Sequence, residues 1–303
     1  MNDTIVAIST ALGEGAISII RVSGDDAIKI INPLFDGKDL EKASSHTINY
    51  GHIVYNGEII DEVLLSIMKA PKTYTKEDVI EINTHGSIAV VNKIMEILLL
   101  EGCRLAEPGE FTKRAFLNGR IDLTESEGVM DLINSETELT RKMAINELSG
   151  NVSRLITDTR EDIISLISNI EVNIDYPEYE DIEVVTINKI REKVREIKER
   201  LLKTLKLSED GKILKDGIKT VILGKPNVGK SSLLNALLEE EKAIVTDVKG
   251  TTRDIVEGSI LVGGVKLNLI DTAGVRKSDD IVEKIGIEKS LNLIDEAELV
   301  LLI

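Results

Sequence analysis

The sequence predicts an α/β plus α fold with three segments: an amino-terminal α/β segment, a central helical segment, and a carboxyl-terminal α/β segment built around a glycine-rich loop. Runs of β-branched residues punctuated by Gly, Asn and Asp fill residues 1–119 and indicate strands mixed with helices. Apolar residues then recur at helical spacing through residues 120–215. In residues 216–303, an apolar strand, the glycine loop and a Leu-rich helix follow one another.

The amino-terminal segment contains strand and helix signals in alternation. Two helices are predicted at Asp25–Leu34 and Ser87–Leu100, the second after a cap region at Thr84-His85-Gly86. Gly13-Glu14-Gly15 lacks the third glycine of a dinucleotide fingerprint and precedes a strand, which excludes a Rossmann domain. Cys103, the one cysteine, is predicted to be a small core residue. The predicted strands are Thr4–Thr10, Ala16–Val22, Thr47–Tyr55, Glu62–Lys69 and Val79–Asn83.

The central segment is predicted to form long amphipathic helices. One helix is expected to end at Asp175-Tyr176-Pro177, where proline stops it, and another to span Val185–Leu207. Nine acidic residues against one basic residue lie between Asp158 and Glu183. This excess favours a solvated helix face over a metal or partner surface.

The carboxyl-terminal segment carries a phosphate-loop motif. Gly224–Ser231 fits G-x-x-x-x-G-K-[ST] at every fixed position and follows the β-branched run Ile218–Leu223. In such a loop, backbone N–H groups close around phosphate oxygens at a helix N-terminus. Lys230 would neutralise the β- and γ-phosphate oxygens, and the Ser231 hydroxyl would hold Mg²⁺.

Two further motifs follow in the order expected of a Ras-like nucleotide switch. The polar loop Gly250–Asp254 contains threonines that can reach Mg²⁺ and the γ-phosphate. Asp271–Gly274 directly follows the apolar strand Val265–Ile270, so that Asp271 lies where a second-shell Mg²⁺ ligand belongs. Neither motif is specific alone, but the three in order predict a triphosphate-binding site.

The switch segment is incomplete in this sequence. Leu299–Ile303 has the composition of a buried parallel strand, and nothing follows to cover it. The Asn-Lys-x-Asp motif that reads guanine is missing, because Asn92-Lys93 and Asn188-Lys189 both precede the phosphate loop and lack the Asp. We therefore expect the chain to be the amino-terminal portion of a longer protein.

The net charge and hydropathy of the chain limit its possible binding to nucleic acids and membranes. The net charge of −16 does not favour a nucleic-acid backbone, so any tRNA contact must use a local basic patch or a partner. No basic region followed by an apolar stretch begins the chain, and no apolar run approaches the length of a membrane span. The sequence favours a soluble, cytoplasmic protein without a membrane partner.

Beyond the switch motifs, the chain resembles the bacterial and organellar tRNA-modification GTPase family MnmE, also called TrmE. The motifs that carry the resemblance are Ile20–Gly24, Tyr74–Asp78, Glu81–Gly86 and, most specifically, Pro108–Arg120. The resemblance extends from Asp3 to the last residue. The family's terminal Cys-x-Gly-Lys motif is missing here.

The resemblance implies an amino-terminal domain that is folate-binding-like, forms a homodimer, and binds 5-formyltetrahydrofolate as a one-carbon donor. Arg21, Glu81 and Arg120 match the positions for that ligand, although each could instead be a surface or capping charge. It also implies a flavin- and NADH-using partner of the MnmG (GidA) type and a tRNA substrate modified at the wobble uridine. The implied domains are 1–119, the first part of a helical domain at 120–215, and an incomplete Ras-like GTPase domain at 216–303.

The second switch lacks the glutamine that orients water in Ras, because Val275 occupies that position. Neither Arg253 nor Arg276 is singled out as an arginine finger. In the family that the chain resembles, a K⁺ ion supplies the missing charge and a carboxylate matching Glu283 orients water. Glu283 could also be an exposed residue at the start of a helix at 282–292.

The motifs and the resemblance together assign the nucleotide site. The catalytic assignments are Glu283, Lys230 and Thr252, with Ser231 and Thr252 for Mg²⁺ and Asn227, Thr246, Val248 and Thr251 for K⁺. The GTP assignments are Asn227, Val228, Gly229, Lys230, Ser231, Ser232, Thr246, Asp247, Val248, Lys249, Gly250, Thr251, Thr252, Asp271, Thr272, Ala273 and Gly274.

Two functions remain open from the sequence. One is a K⁺-stimulated GTPase in carboxymethylaminomethyl-type tRNA modification. The other is a GTP-switched RNA or ribosome assembly factor without modification activity. The phosphate loop serves both equally, so the amino-terminal domain discriminates between them: an assembly factor does not need Arg21, Glu81 and Pro108–Arg120.

Overall fold

The structure is a computed structural model that describes residues 3–175, 187–223, 236, 243–244, 258–271 and 297–303. The chain divides into two compact units, Met1–Ser126 and Glu127–Ile303. Within the described residues, no helix combines the length and apolar character that crossing a membrane requires.

The amino-terminal unit is a seven-stranded sheet with helices. Its strands run in the order β3-β4-β5-β6-β2-β1-β7, with every neighbouring pair antiparallel except β1 and β7. The strands are β1 (Ile5–Ile8), β2 (Gly15–Ser23), β3 (Phe35–Asp36), β4 (Thr47–Tyr55), β5 (Glu58–Met68), β6 (Val79–Gly86) and β7 (Arg104–Leu105). The helices are α1 (Ala27–Ile31), followed by a 3₁₀ turn (Asn32–Leu34), then α2 (Ile88–Leu100) and α3 (Glu110–Leu117).

The five predicted strands of this unit are present, and the differences from the prediction have local causes. β5 begins earlier than predicted because Asn56 and Gly57, both at positive φ, form a two-residue hairpin turn from β4. The α-helical part of the Asp25–Leu34 prediction ends at Ile31, since Pro33 lies in the following 3₁₀ turn. The predicted cap region at residues 84–86 was wrong: those residues belong to β6, and Ser87 is the N-cap of α2.

The core of the amino-terminal unit lies on one face of the sheet, against α1 and α2. Ile20, Leu65 and Ile82 are fully buried there, together with residues of both helices. Cys103 joins this core as a free, buried thiol, as predicted, and its burial raises the pKa of the thiol to about 11. The alternate residues of the central strands point to the other face, which is referred to below as the open face.

The carboxyl-terminal unit begins with helices that the 3.6-residue periodicity predicted. α6 is described as far as Asp175, and the proline expected to stop it lies outside the described residues; α7 continues well past the predicted Leu207. Arg200 of α7 contacts Asp162 of α6 at 2.8 Å, joining the two long helices. The helices are α4 (Leu123–Ile133), which crosses the boundary between the units, α5 (Glu138–Leu148), α6 (Asn151–Asp175) and α7 (Ile187–Asp216).

A five-stranded sheet follows α7 directly. Gly217, at φ +78°, reverses the chain between α7 and β8, and a side chain there would collide with Lys266 and Asn268. The strand order is β12-β8-β11-β10-β9, with β8 parallel to both β11 and β12. The strands are β8 (Ile218–Leu223), β9 (Ala243–Ile244), β10 (Gly258–Val262), β11 (Val265–Asp271) and β12 (Leu299–Leu302).

β12 differs in part from its prediction. It is parallel, as expected, but it stands at the end of the described sheet and alternates between half-buried and exposed residues rather than being buried. Leu302 is 82% exposed.

Candidate functional sites

Arg21 and Glu81 form an ion pair on the open face of the amino-terminal sheet. They are directly opposite one another on the antiparallel strands β2 and β6, which brings residues 60 positions apart into contact. Arg21 Nε donates to Glu81 Oε1 at 2.8 Å, and Nη2 of the same guanidinium lies 2.7 Å from that oxygen. Both side chains are partly covered, with 29% and 23% exposure.

Two aromatic rings cover this ion pair. The Arg21 guanidinium carbon lies 5.8 Å from the centroid of the Tyr74 ring and 5.6 Å from that of Phe111. Arg120 stacks on Tyr74 more closely, at 4.7 Å. These distances are within the range of attraction between a cation and a π face. The three residues predicted for folate are thus brought together around one tyrosine.

Hydrogen bonds hold the Tyr74 loop against α3. The Tyr74 hydroxyl lies 2.9 Å from the Thr112 hydroxyl, and Asn118 Nδ2 donates to the Thr75 carbonyl at 2.6 Å. Lys76 Nζ donates to the Gly119 carbonyl at 2.9 Å, next to Arg120. These contacts explain why the motifs at 74–78 and 108–120 occur together: each fixes the backbone of the other.

A buried ion cluster lies beneath the same two segments. Arg114, at 1% exposure, donates to Glu77 at 3.1 Å and to Glu110 at 3.2 Å, and it also contacts Asp3. Arg104 hydrogen-bonds to Glu110, and this contact, more than any other, lowers the pKa of the Glu110 carboxyl to about 2. Glu110 also accepts the backbone N–H of Glu107 at 2.7 Å, which holds the turn before α3 against the first residue of the helix.

His85 lies elsewhere on the open face, near the end of β6. Its Nδ1 lies 2.7 Å from Asp61 Oδ1, and its backbone N–H donates to Asp61 Oδ2 at 2.9 Å. His85 belongs to β6 rather than to the cap region predicted at residues 84–86. Its ring borders an open cleft between the start of β2 and the N-terminus of α2.

In the carboxyl-terminal unit, the described residues include the approach to the phosphate loop. β8 ends at Leu223, one residue before the motif begins, and Asp271 at the end of β11 is opposite Ile222 in parallel register. The phosphate loop and the Asp271 motif therefore leave the sheet from the same edge, where ligands of open α/β sheets bind.

The other predicted residues of the nucleotide and metal sites lie outside the described residues. They are Asn227, Val228, Gly229, Lys230, Ser231, Ser232, Thr246, Asp247, Val248, Lys249, Gly250, Thr251, Thr252, Thr272, Ala273, Gly274 and Glu283.

Sequence reasoning did not identify Tyr74, Phe111 or the buried Arg114 as contributors to the amino-terminal site. A signal was available, because all three lie within the motifs that carry the resemblance. Their contacts with Arg21 and Glu77 depend on the fold, which no spacing in the sequence specifies.

Taken together, the folds and sites define a protein of two compact units: a mixed α/β amino-terminal unit, and a unit of long helices and a sheet whose strand β8 precedes the phosphate-loop motif in the sequence. Residues 4–120 match the sequence model described as the GTP-binding protein TrmE N-terminus, and residues 123–298 match that of the MnmE helical domain. The chain belongs to the MnmE (TrmE) family.

Similar proteins from several streptococci carry the name tRNA modification GTPase MnmE. The one from Streptococcus thermophilus is 60% identical over 301 residues, which are 99% of this chain and 66% of that relative. Those from Streptococcus mutans and Streptococcus pneumoniae are 58% and 57% identical, with the same coverage. The chain therefore spans about two thirds of the length of these relatives.

Proposed function

We propose that the protein containing this chain is a GTP hydrolase that acts in tRNA modification. The relatives' name supports the activity, and the register of β8 with β11 supports a nucleotide site at the carboxyl edge of the second sheet. The strand order β12-β8-β11-β10, with one antiparallel neighbour beyond two parallel pairs, agrees with a Ras-like domain.

The proposed nucleotide chemistry uses residues that follow β8 and β11 in the sequence. Lys230 and the phosphate-loop amides would hold the phosphates, and Ser231 and Thr252 would ligate Mg²⁺. Asn227, with Thr246, Val248 and Thr251, would hold a K⁺ ion that balances charge developing between the β- and γ-phosphates. Glu283 would orient the attacking water.

For the amino-terminal unit, we propose a site for 5-formyltetrahydrofolate. The observation that supports it is the cluster of Arg21, Glu81 and Arg120 around Tyr74. A carboxylate suits the N–H groups of a pterin edge, and a guanidinium suits the carboxylates of the glutamate tail. These groups fit the ligand chemically. The bound folate would supply one carbon to the modification.

The same cluster favours modification over the assembly-factor alternative. A factor that only switches with GTP does not require a small-molecule site in its amino-terminal unit, whereas a one-carbon reaction requires a site that binds the donor. We propose that the one-carbon unit enters a carboxymethylaminomethyl-type modification at U34, together with a flavin- and NADH-dependent partner of the MnmG type. Cytoplasmic tRNA is the proposed substrate.

We further propose that the amino-terminal unit forms the homodimer. Large apolar side chains lie on the open face of its sheet, on β4, β5 and β2: Ile48, Tyr50, Leu64 and Ile17 are 69%, 61%, 46% and 62% exposed. Exposed apolar surface of this kind marks an interaction site.

Apolar residues of α6 and α7, such as Ile167 and Leu205, are also exposed, in agreement with a helical domain completed by further chain.

The GTPase proposal is tested by comparing hydrolysis by the full-length protein in KCl and in NaCl. We expect strong stimulation by K⁺ and little by Na⁺, whose smaller radius suits the oxygen ligands poorly. Glu283→Ala should lower turnover by about 100-fold or more, the scale of a lost general base, while leaving GTP affinity nearly unchanged. Equal rates in both salts would exclude the K⁺ role, and a collapse of GTP binding in Glu283→Ala would make Glu283 structural.

A further inference from the structure

Tyr74 holds a central position in the amino-terminal cluster that its sequence motif does not explain. Its ring contacts two guanidinium groups, those of Arg21 and Arg120, and its hydroxyl is fixed to Thr112. The ring is half-buried, and the two residues that follow it, Thr75 and Lys76, are hydrogen-bonded to the chain just after α3. Tyr74 is therefore a fixed aromatic surface rather than a freely moving side chain.

The two arginines on this surface are held very differently. Arg21 is paired with Glu81, because its Nε and Nη2 both contact Glu81 Oε1. Arg120 is exposed, follows Gly119 at φ +67°, and has no acidic partner among the described residues within ion-pair distance. Stacking on an exposed ring is worth only about 0.5–1 kcal/mol, so Arg120 can leave Tyr74 at little cost.

Glu81 also retains capacity for a ligand. Both contacts from Arg21 reach Oε1, and no hydrogen bond from the described residues reaches Oε2. Such a carboxylate oxygen, in an ion pair whose arginine lies against the rings of Tyr74 and Phe111, suits a flat heterocycle that presents N–H groups along one edge.

We propose that Tyr74 determines specificity at this site by stacking against the heteroaromatic ring of the ligand, and that Arg120 occupies the Tyr74 ring only until the ligand arrives. The ligand ring replaces the Arg120 guanidinium, which then pairs with the anionic tail of the same ligand. Arg21 is a positioning residue that holds Glu81 in place. This inference rests on the proposed folate site and assigns a role to each part of it.

The displacement of Arg120 from Tyr74 predicts that ligands with and without an anionic tail respond differently to loss of the Arg120 charge. When a ligand with both a ring and a carboxylate tail displaces Arg120 from Tyr74, a charge-assisted pair between Arg120 and that carboxylate replaces the lost stacking. A ligand with the ring but no tail must also displace Arg120, but it offers no carboxylate with which Arg120 can then pair. Removal of the Arg120 charge should therefore weaken the first ligand and spare the second.

The test is calorimetric titration of the full-length protein with 5-formyltetrahydrofolate and with tetrahydropterin, which lacks the tail. Tyr74→Leu should weaken both ligands about tenfold, the scale of one lost aromatic stack, and Tyr74→Phe should restore most of that loss. Arg120→Gln should weaken the folate about tenfold while leaving tetrahydropterin equal or tighter. Lys113→Gln, an exposed charge on α3, is the matched control.

Each outcome has a separate meaning. Equal weakening of both ligands by Arg120→Gln would overturn the exchange, and unchanged affinities in Tyr74→Leu would overturn the stacking role. Neither of these two results would contradict the proposal that the wild-type protein binds folate at this site. If the wild-type protein binds neither ligand, the proposed folate site itself fails. Melting curves recorded for every variant distinguish lost binding from lost folding.

Discussion

At the scale of single residues, Asp61 controls the chemistry of His85. The Asp61 side chain is 8% exposed and accepts both from the His85 backbone and at the imidazole, whose own side chain is 68% exposed. The hydrogen bond from His85 to Asp61, aided by the Asp61 charge, raises the pKa of His85 above its usual value. The Nδ1 contact leaves Nε2 as the ring nitrogen that can engage other groups.

Asp61→Asn is expected to lower the pKa of His85, because an amide neither carries the charge nor accepts as strongly. A titration of the His85 ring signals by NMR measures this directly. The raised pKa means that His85 stabilises the fold below its unfolded pKa and loses that contribution as the pH rises through its folded pKa. Glu62→Gln is the control, because Glu62 is the weakest contributor to the shift. A pKa that is the same in Asp61→Asn and the wild type would refute the assignment.

At the scale of elements, α3 is positioned by charge rather than by apolar packing alone. It is eight residues long and too short to be stable alone. Arg114 joins it to Glu77 in the loop before β6 and to Asp3 before β1. Ser23 at the end of β2 donates to Glu77 at 2.7 Å, which connects the cluster to the sheet.

Arg114→Met should destabilise the amino-terminal unit by about 3–5 kcal/mol, because it leaves Glu77 buried without its cation and Glu110 with Arg104 as its remaining one. Hydrogen exchange of the β2 and β6 amides, followed by mass spectrometry, reports the free energy of opening in this unit. Lys113→Met changes the adjacent, exposed residue of α3 and should alter that free energy by less than about 0.5 kcal/mol. Equal losses in the two variants would mean that the buried cluster does not stabilise the unit.

At the scale of the whole molecule, the chain joins a folded α/β unit to a helical unit that continues into a nucleotide-type sheet. Gly217 connects α7 to β8 without an intervening loop. The end of α7 and the amino end of β8 are therefore held next to each other by the chain itself.

Residues 1–303 alone should discriminate poorly between GTP and ATP. The phosphate loop reads only phosphates, and this sequence has no Asn-Lys-x-Asp motif after it to read the base. Competition between the two nucleotides for a fluorescent analogue measures the ratio of affinities, with the full-length protein as the control. Tight and GTP-selective binding by residues 1–303 would show that another part of the chain recognises guanine.

The sequence by itself determined the elements that depend on local backbone preference. The β-branched run at Ile218–Leu223 forms β8 at the predicted residues, and Thr47–Tyr55 is a strand as predicted. Helix α3 was not predicted, because its apolar residues are few and its stability comes from distant charges. Motifs of fixed spacing also identified the family.

Only the tertiary structure decided which side chains meet. Arg21 and Glu81 were predicted as site residues, but their contact follows from the β2–β6 register. Tyr74 and Phe111 join them because the buried Arg114 ties α3 to the Tyr74 loop. The physical reason is that propensity acts over a few neighbouring residues, whereas strand register and a desolvated ion cluster are set by the free energy of the whole packed unit.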